Sequence, residues 1–171
     1  ALLQFHETGG ETFLPGQVLN AHTWPNDMPY DTDSILGCPC GFRCDWTKLG
    51  PVTLDAVREQ IALARRVRPL INEDYYALFP QERDQSTWIG WQFDAPSQGQ
   101  GFVVLLRPPA CPVNTATFKL IGLDPKATYR IEPVHGATLP AGEMTGAQLL
   151  HGKTISLEPH ASAVYLYTKL K

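Results

Sequence analysis

Two rhythms of apolar residues divide this chain, and between them they bound the folds open to it. Leu54, Val57, Ile61, Ala64 and Val67 fall three or four positions apart, which stacks them on one face of a helix. Thr53 is placed to cap that helix by accepting a hydrogen bond from a free backbone N–H, and Asp55 sets negative charge near the positive end of its dipole. Arg65, Arg66 and Arg68 gather at the far end, where cations are favoured, and Pro69 disfavours helical geometry at Arg68. After Asp84 the period drops to two. Trp88, Gly90 and Gln92 alternate with Ile89, Trp91 and Phe93, and further strands are expected over 101–106, 117–121, 128–132, 154–157 and 163–167.

Short strands separated by turn residues point to an antiparallel sandwich. The 15 prolines and 14 glycines, spread along 171 residues, suit that architecture and not a helical bundle. The helix is the only convincing one, and its apolar stripe must cover something. A parallel sheet or a barrel wall is the usual partner. Residues 1–50 are irregular, with short apolar runs such as Phe13-Leu14 and Val18-Leu19. No internal repeat or low-complexity tract is present.

With 43% apolar and 18% charged residues, the chain can bury a core as a soluble globular protein. A net charge of −3 without runs of like charge argues against nucleic acid or an anionic membrane as partner. No apolar stretch approaches the ~20 residues that span a bilayer, and no secretion signal is visible. The chain opens on Ala1, Leu2, Leu3 and Phe5, a start that reads as the middle of something longer.

Specific runs then narrow the field. Cys44-Asp45-Trp46-Thr47-Lys48-Leu49 precedes the helix, and an Arg-rich stretch leads from it to Tyr76-Ala77-Leu78. Upstream lies Leu19-Asn20-Ala21-His22-Thr23-Trp24-Pro25-Asn26, and downstream Ile121-Gly122-Leu123-Asp124-Pro125-Lys126 runs into Tyr129-Arg130. Together, and in this order, they resemble the end of glycoside hydrolase family 36, which includes α-galactosidases. The resemblance implies a mixed α and β chain. Residues 1–83 would be the C-terminal end of a (β/α)8 catalytic barrel, contributing its last strands and helix, and 84–171 an antiparallel β-sandwich domain.

It also implies what is missing. Retaining glycosidases need two carboxyl groups ~5–5.5 Å apart, one as nucleophile and one as acid/base. In the family resembled these follow the fourth and sixth barrel strands, and this chain is expected to begin after the sixth. No catalytic residue is therefore expected, nor any cofactor. The implied partners are an α-galactoside-type sugar and the remainder of the barrel, and a homo-oligomer is allowed. His22, Trp24, Asn26 and Asp27 would follow a barrel strand at the mouth of the site, with Trp24 stacking on a sugar face and Asn26 or Asp27 bonding to hydroxyls. The same four residues can equally form a buried loop. Asp45 either points into that mouth or caps the loop before the helix.

Cys38, Cys40 and Cys44 form a Cys-x-Cys-x3-Cys cluster, with Cys111 far off. With His22 they could form a tetrahedral zinc site, but the spacing is not a usual one; a disulfide and packed free thiols are the other readings, and no metal is expected. Four cysteines leave the compartment open. His6, His135, His151 and His160 are scattered, with surface or turn roles expected for each. Trp88, Trp91, Phe93 and Phe102 are expected in the core rather than on a sugar-binding platform.

Overall fold

The computed structural model describes residues 21–23, 28–38, 40–42, 45–80, 84–136 and 139–170, with backbone alone for 21–23, 40 and 41. Strand β1 (Ala21–Thr23) leads to a single-turn helix, α1 (Tyr30–Asp33), and then to β2 (Cys40–Phe42). β1 and β2 pair in parallel, with Ala21 opposite Cys40 and His22 opposite Gly41. A short 3-10 turn, Trp46–Lys48, precedes helix α2 (Pro51–Val67).

Helix α2 starts three residues earlier than the Thr53 cap would have it. Gly50 is the cap residue, extended and without a side-chain bond, and Pro51 takes the first helical position. Proline suits that position because its φ is already helical and its missing N–H would have had no partner. The buried stripe is also turned: Val57, Gln60, Leu63 and Val67 are buried, while Leu54 and Ile61 are only half-buried.

The rest of the chain is antiparallel. It comprises β3 (Asp74–Ala77), β4 (Ile89–Ala95), β5 (Gln100–Arg107), β6 (Thr115–Phe118), β7 (Thr128–His135), β8 (Gly142–Thr145), helix α3 (Gly146–His151), β9 (Lys153–Ser156) and β10 (Ala161–Lys169). Six of these strands form one sheet in the order β3-β4-β5-β10-β7-β8, and β6 pairs with β9 in a separate ribbon. The sheet begins at Asp74, because β3 lies in register against β4 with Asp74 opposite Asp94.

Each face of the large sheet carries a core. On one, Trp91, Phe93, Phe102, Val104, Leu106 and Val164 pack against Leu63, Val67 and Leu70 from α2 and the turn after it. On the other, Val103, Leu105, Tyr165 and Tyr167 pack against Phe118, Leu120, Ile155 and Leu157 from the β6–β9 layer. The sheet is thus covered twice, by helix and by ribbon, and every residue of β4 is buried. Trp88, Trp91, Phe93 and Phe102 all lie in these cores, none more than 4% exposed, so they form no platform.

Polar side chains tie the layers together. Gln92 donates to the Ile121 carbonyl at 2.9 Å and accepts from the Ile121 N–H at 2.8 Å, so its amide replaces a strand partner for the ribbon layer. The Trp91 indole N–H donates to the Leu36 carbonyl at 2.7 Å, joining the sheet to the segment that follows α1. Buried Arg107 donates to the carbonyls of Leu157, at 2.7 Å, and Cys111. On the surface Arg66 of α2 makes a bidentate pair with Glu132 of β7.

Candidate functional site

Asp33 is the most deeply buried charged side chain among the described residues, fully enclosed at the end of α1. Its carboxylate accepts from the Ser162 hydroxyl at 2.7 Å and from the Gln60 amide at 3.1 Å. His135 Nδ1 lies 3.1 Å from Asp33 Oδ2, although neither ring nitrogen meets hydrogen-bond geometry. Four elements, α1, α2, β7 and β10, therefore converge on one carboxylate. The surface or turn role expected of His135 does not hold: β7 carries it inward against Asp33. His160 is a turn residue at φ +60°, its ring 4.2 Å from that of Tyr30, and His151 ends α3 in solvent. His6 lies outside the described residues.

Beside this junction is a cavity of about 490 Å³ lined by Met28, Pro29, Glu59, Gln60, Val134 and His135, among others. A second, mainly apolar groove of about 390 Å³ is lined from α1, β2 and α2, with Phe42, Trp46, Arg65 and Arg68 among its residues. Past the end of β2, Asp45 accepts from the Thr47 N–H at 3.1 Å and the Thr47 hydroxyl at 2.6 Å, and Lys48 lies 3.3 Å away. The Thr47 hydrogen bonds, side chain first, hold the Asp45 carboxyl below the usual carboxylate range. Asp45 thus caps the turn before the helix.

A third polar group sits in the sheet. Asp94 accepts from the Tyr167 hydroxyl at 2.7 Å, and that hydroxyl also accepts from Gln92 at 2.8 Å. Burial pushes the Asp94 carboxyl above its ordinary range against the pull of the Tyr167 hydrogen bond, and the Asp74 charge adds to the rise. Burial, then Asp94, pushes the Tyr167 hydroxyl well up. The loop at Gly122 closes over the pair, since a Cβ there would stand 3.2 Å from Asp94 Oδ2. Asp94 is a sealed structural group.

Of the sugar-contacting residues expected from the sequence, His22 lies in β1, and nothing is described of its side chain. Trp24, Asn26 and Asp27 lie outside the described residues, as does Cys44. Cys38 is buried, its thiol donating to the Ile35 carbonyl at 3.8 Å, and Cys111 is a buried free thiol. Among the described residues the two cavities together present one carboxylate, Glu59, and retaining hydrolysis needs two.

The antiparallel sheet, covered by a helix on one face and a two-stranded ribbon on the other, and the short parallel pair make a mixed α and β chain. Its likeness is to family 36 α-galactosidases. The galactosidase domain of the α-galactosidase–sucrose kinase AgaSK matches with a TM-score of 0.75 at 19% identity, over 98% of this chain and 24% of that one. AgaA from Geobacillus stearothermophilus matches at 0.69 and 21%, over 82% and 19%, and the Lactobacillus brevis α-galactosidase at 0.71 and 19%, over 89% and 22%. The chain thus spans about a fifth of the length of these structures, and the likeness, one of fold, fits the carboxy-terminal part of such an enzyme. Variants of AgaA were solved in complex with raffinose and with stachyose. No family model matches the chain, and no curated protein does.

Proposed function

We propose that this chain is the carboxy-terminal part of a retaining glycoside hydrolase acting on terminal α-galactosides or related sugars, and that it does not supply the catalytic carboxylates. The observation that carries this is the order of its elements. A parallel strand–helix–strand–helix unit, β1-α1-β2-α2, runs directly into an antiparallel sheet, and α2 packs on that sheet. Parallel strands stand in nature covered on both faces and continued by neighbours. A pair of three-residue strands is therefore best read as the closing segment of a (β/α)8 barrel, which needs ~200 or more residues in all. In this reading the residues before Asp74 complete the barrel, the sheet that begins at Asp74 forms the sandwich beside it, and His22, Trp24, Asn26 and Asp27 border the sugar site.

The reading frame upstream of Ala1 tests this. The expected result is a continuous frame of ~200 or more residues with six further βα units and two carboxylates following the fourth and sixth strands. A stop codon and ribosome-binding site directly before Ala1 would overturn it, leaving a stand-alone sandwich module that binds carbohydrate or a protein.

A further inference from the structure

We propose that Trp46 is a stacking platform for the apolar face of a neutral pyranose, at the rim of the groove between β2 and α2. Trp46, Val52, Val113 and Ile121 are the large apolar side chains that the described residues leave exposed, and Trp46 alone is aromatic. It stands just beyond the carboxyl end of a strand in a parallel pair. In α/β architectures that is the end at which ligands bind, because the loops there are free to diverge while the strands hold them in place.

The ring is held before any ligand arrives. Asp45 caps its 3-10 turn through two hydrogen bonds from Thr47, and the Leu49 N–H closes the turn on the Trp46 carbonyl. Phe42 meets it edge to face, centroids 5.9 Å apart at 79°. That contact holds the ring, and 46% of the residue stays open. A rigid aromatic loses little conformational entropy on binding, and its π face suits the weakly positive C–H groups of a sugar ring. Around it the polar groups are mixed in sign. Asp45 offers acceptors, Lys48, Arg65 and Arg68 offer donors, and among the described residues Thr32 and Gln60 also line the groove. Such a rim, with donors and acceptors both present, suits hydroxyls in several directions.

This inference rests on the proposed carbohydrate function but can fail separately from it. The full 171-residue chain carrying 5-fluorotryptophan is titrated with methyl α-D-galactopyranoside and with raffinose, and the Trp46 fluorine signal is assigned by Trp46→Phe. A saturable shift of that signal is expected. By calorimetric titration with the same sugars, Trp46→Ala should weaken binding at least about fivefold, while Trp46→Phe stays within about threefold, since a smaller ring keeps most of the stacking. A Trp46 signal that does not move, or Trp46→Ala binding as tightly as the parent, overturns the platform. Were Trp46→Ala to unfold, the wild-type shift and Trp46→Phe would decide. A Trp46 signal moved only by a protein segment, such as the preceding barrel expressed in trans, would also overturn it. A silent Trp46 beside an upstream barrel would sink the platform and leave the enzyme reading standing. Saturable sugar binding with no upstream barrel would do the reverse.

Discussion

Ser162 and Asp33 stand 129 positions apart and share a 2.7 Å hydrogen bond in which the Ser162 hydroxyl donates to a carboxylate with no exposed surface. The bond joins the last strand of the large sheet to the single-turn helix between the parallel strands. With Gln60 and His135 in the same contact shell, it makes the helix layer and the sheet one structural unit. A buried carboxylate is tolerable only while its donors are in place, and the converse holds for the donors.

Asp33→Ala is therefore expected to destabilise the chain by about 3 kcal/mol, since it strands the Ser162 and Gln60 donors and leaves a small cavity. Asp33→Asn keeps the volume and one acceptor, and should cost about 1 kcal/mol. Urea unfolding of the three proteins checks this; a cost below that of an ordinary surface change for Asp33→Ala would mean the junction contributes nothing.

Gly101 and Gly142 make a paired test of close approach. A Cβ on Gly101 would stand 2.1 Å from the Tyr167 hydroxyl and 2.4 Å from the Phe93 carbonyl, whereas one on Gly142 meets nothing within 4 Å. Gly101→Ala should cost about 3 kcal/mol, because it must push two strands apart or eject Tyr167. Gly142→Ala should stay within about 0.5 kcal/mol. Equal melting temperatures for the two variants would contradict this packing.

The Asp94 carboxyl is raised, chiefly by burial, so the folded chain holds its proton more tightly than the unfolded chain does. Linkage then fixes the sign: stability from this group is present below the unfolded value, about 3.9, and is lost as pH rises through the folded one. Asp94→Asn still accepts from Tyr167 but never ionises. Its stability relative to the parent should rise between pH 4 and pH 7. The difference is the quantity to measure, because Glu132, held low by Arg66, and Asp124, held low by the Lys126 N–H, drive both proteins the other way. A difference that falls with pH would show that Asp94 is not the buried group described.

How far the sequence made this fold legible depended on local period. Helix α2 was visible because one face of it is solvent, but Gln60 hides in its stripe as a polar residue, buried only because Asp33 waits for it. The strands β4, β5 and β10 were visible as apolar runs, and the alternation within them was uninformative because both faces are covered. β3 escaped notice, being four residues with no buried face of its own until β4 pairs with it. Helix α3 also passed unread, although its signal was there: Thr145 and Gln148 form a capping box, each side chain accepting the other's backbone N–H. The Asp33 junction has no local signature at all. Three of its four members sit in unremarkable contexts, and only the tertiary fold brings them together.

The last prediction concerns chemistry. The isolated 171 residues should not hydrolyse p-nitrophenyl α-D-galactopyranoside. Retaining cleavage needs a nucleophile and an acid/base ~5–5.5 Å apart facing one sugar. Among the described residues, the groove between β2 and α2 holds no carboxylate and the cavity beside His135 holds only Glu59. Asp33 is occupied by Ser162 and Gln60, and Asp94 is sealed under Gly122. Neither can reach a substrate without the fold opening. Turnover above the uncatalysed rate by the purified chain, surviving a second purification by an unrelated method, would show that a carboxylate pair had been overlooked. Glu59→Gln would then be the first variant to assay, as the one acid already lining a cavity.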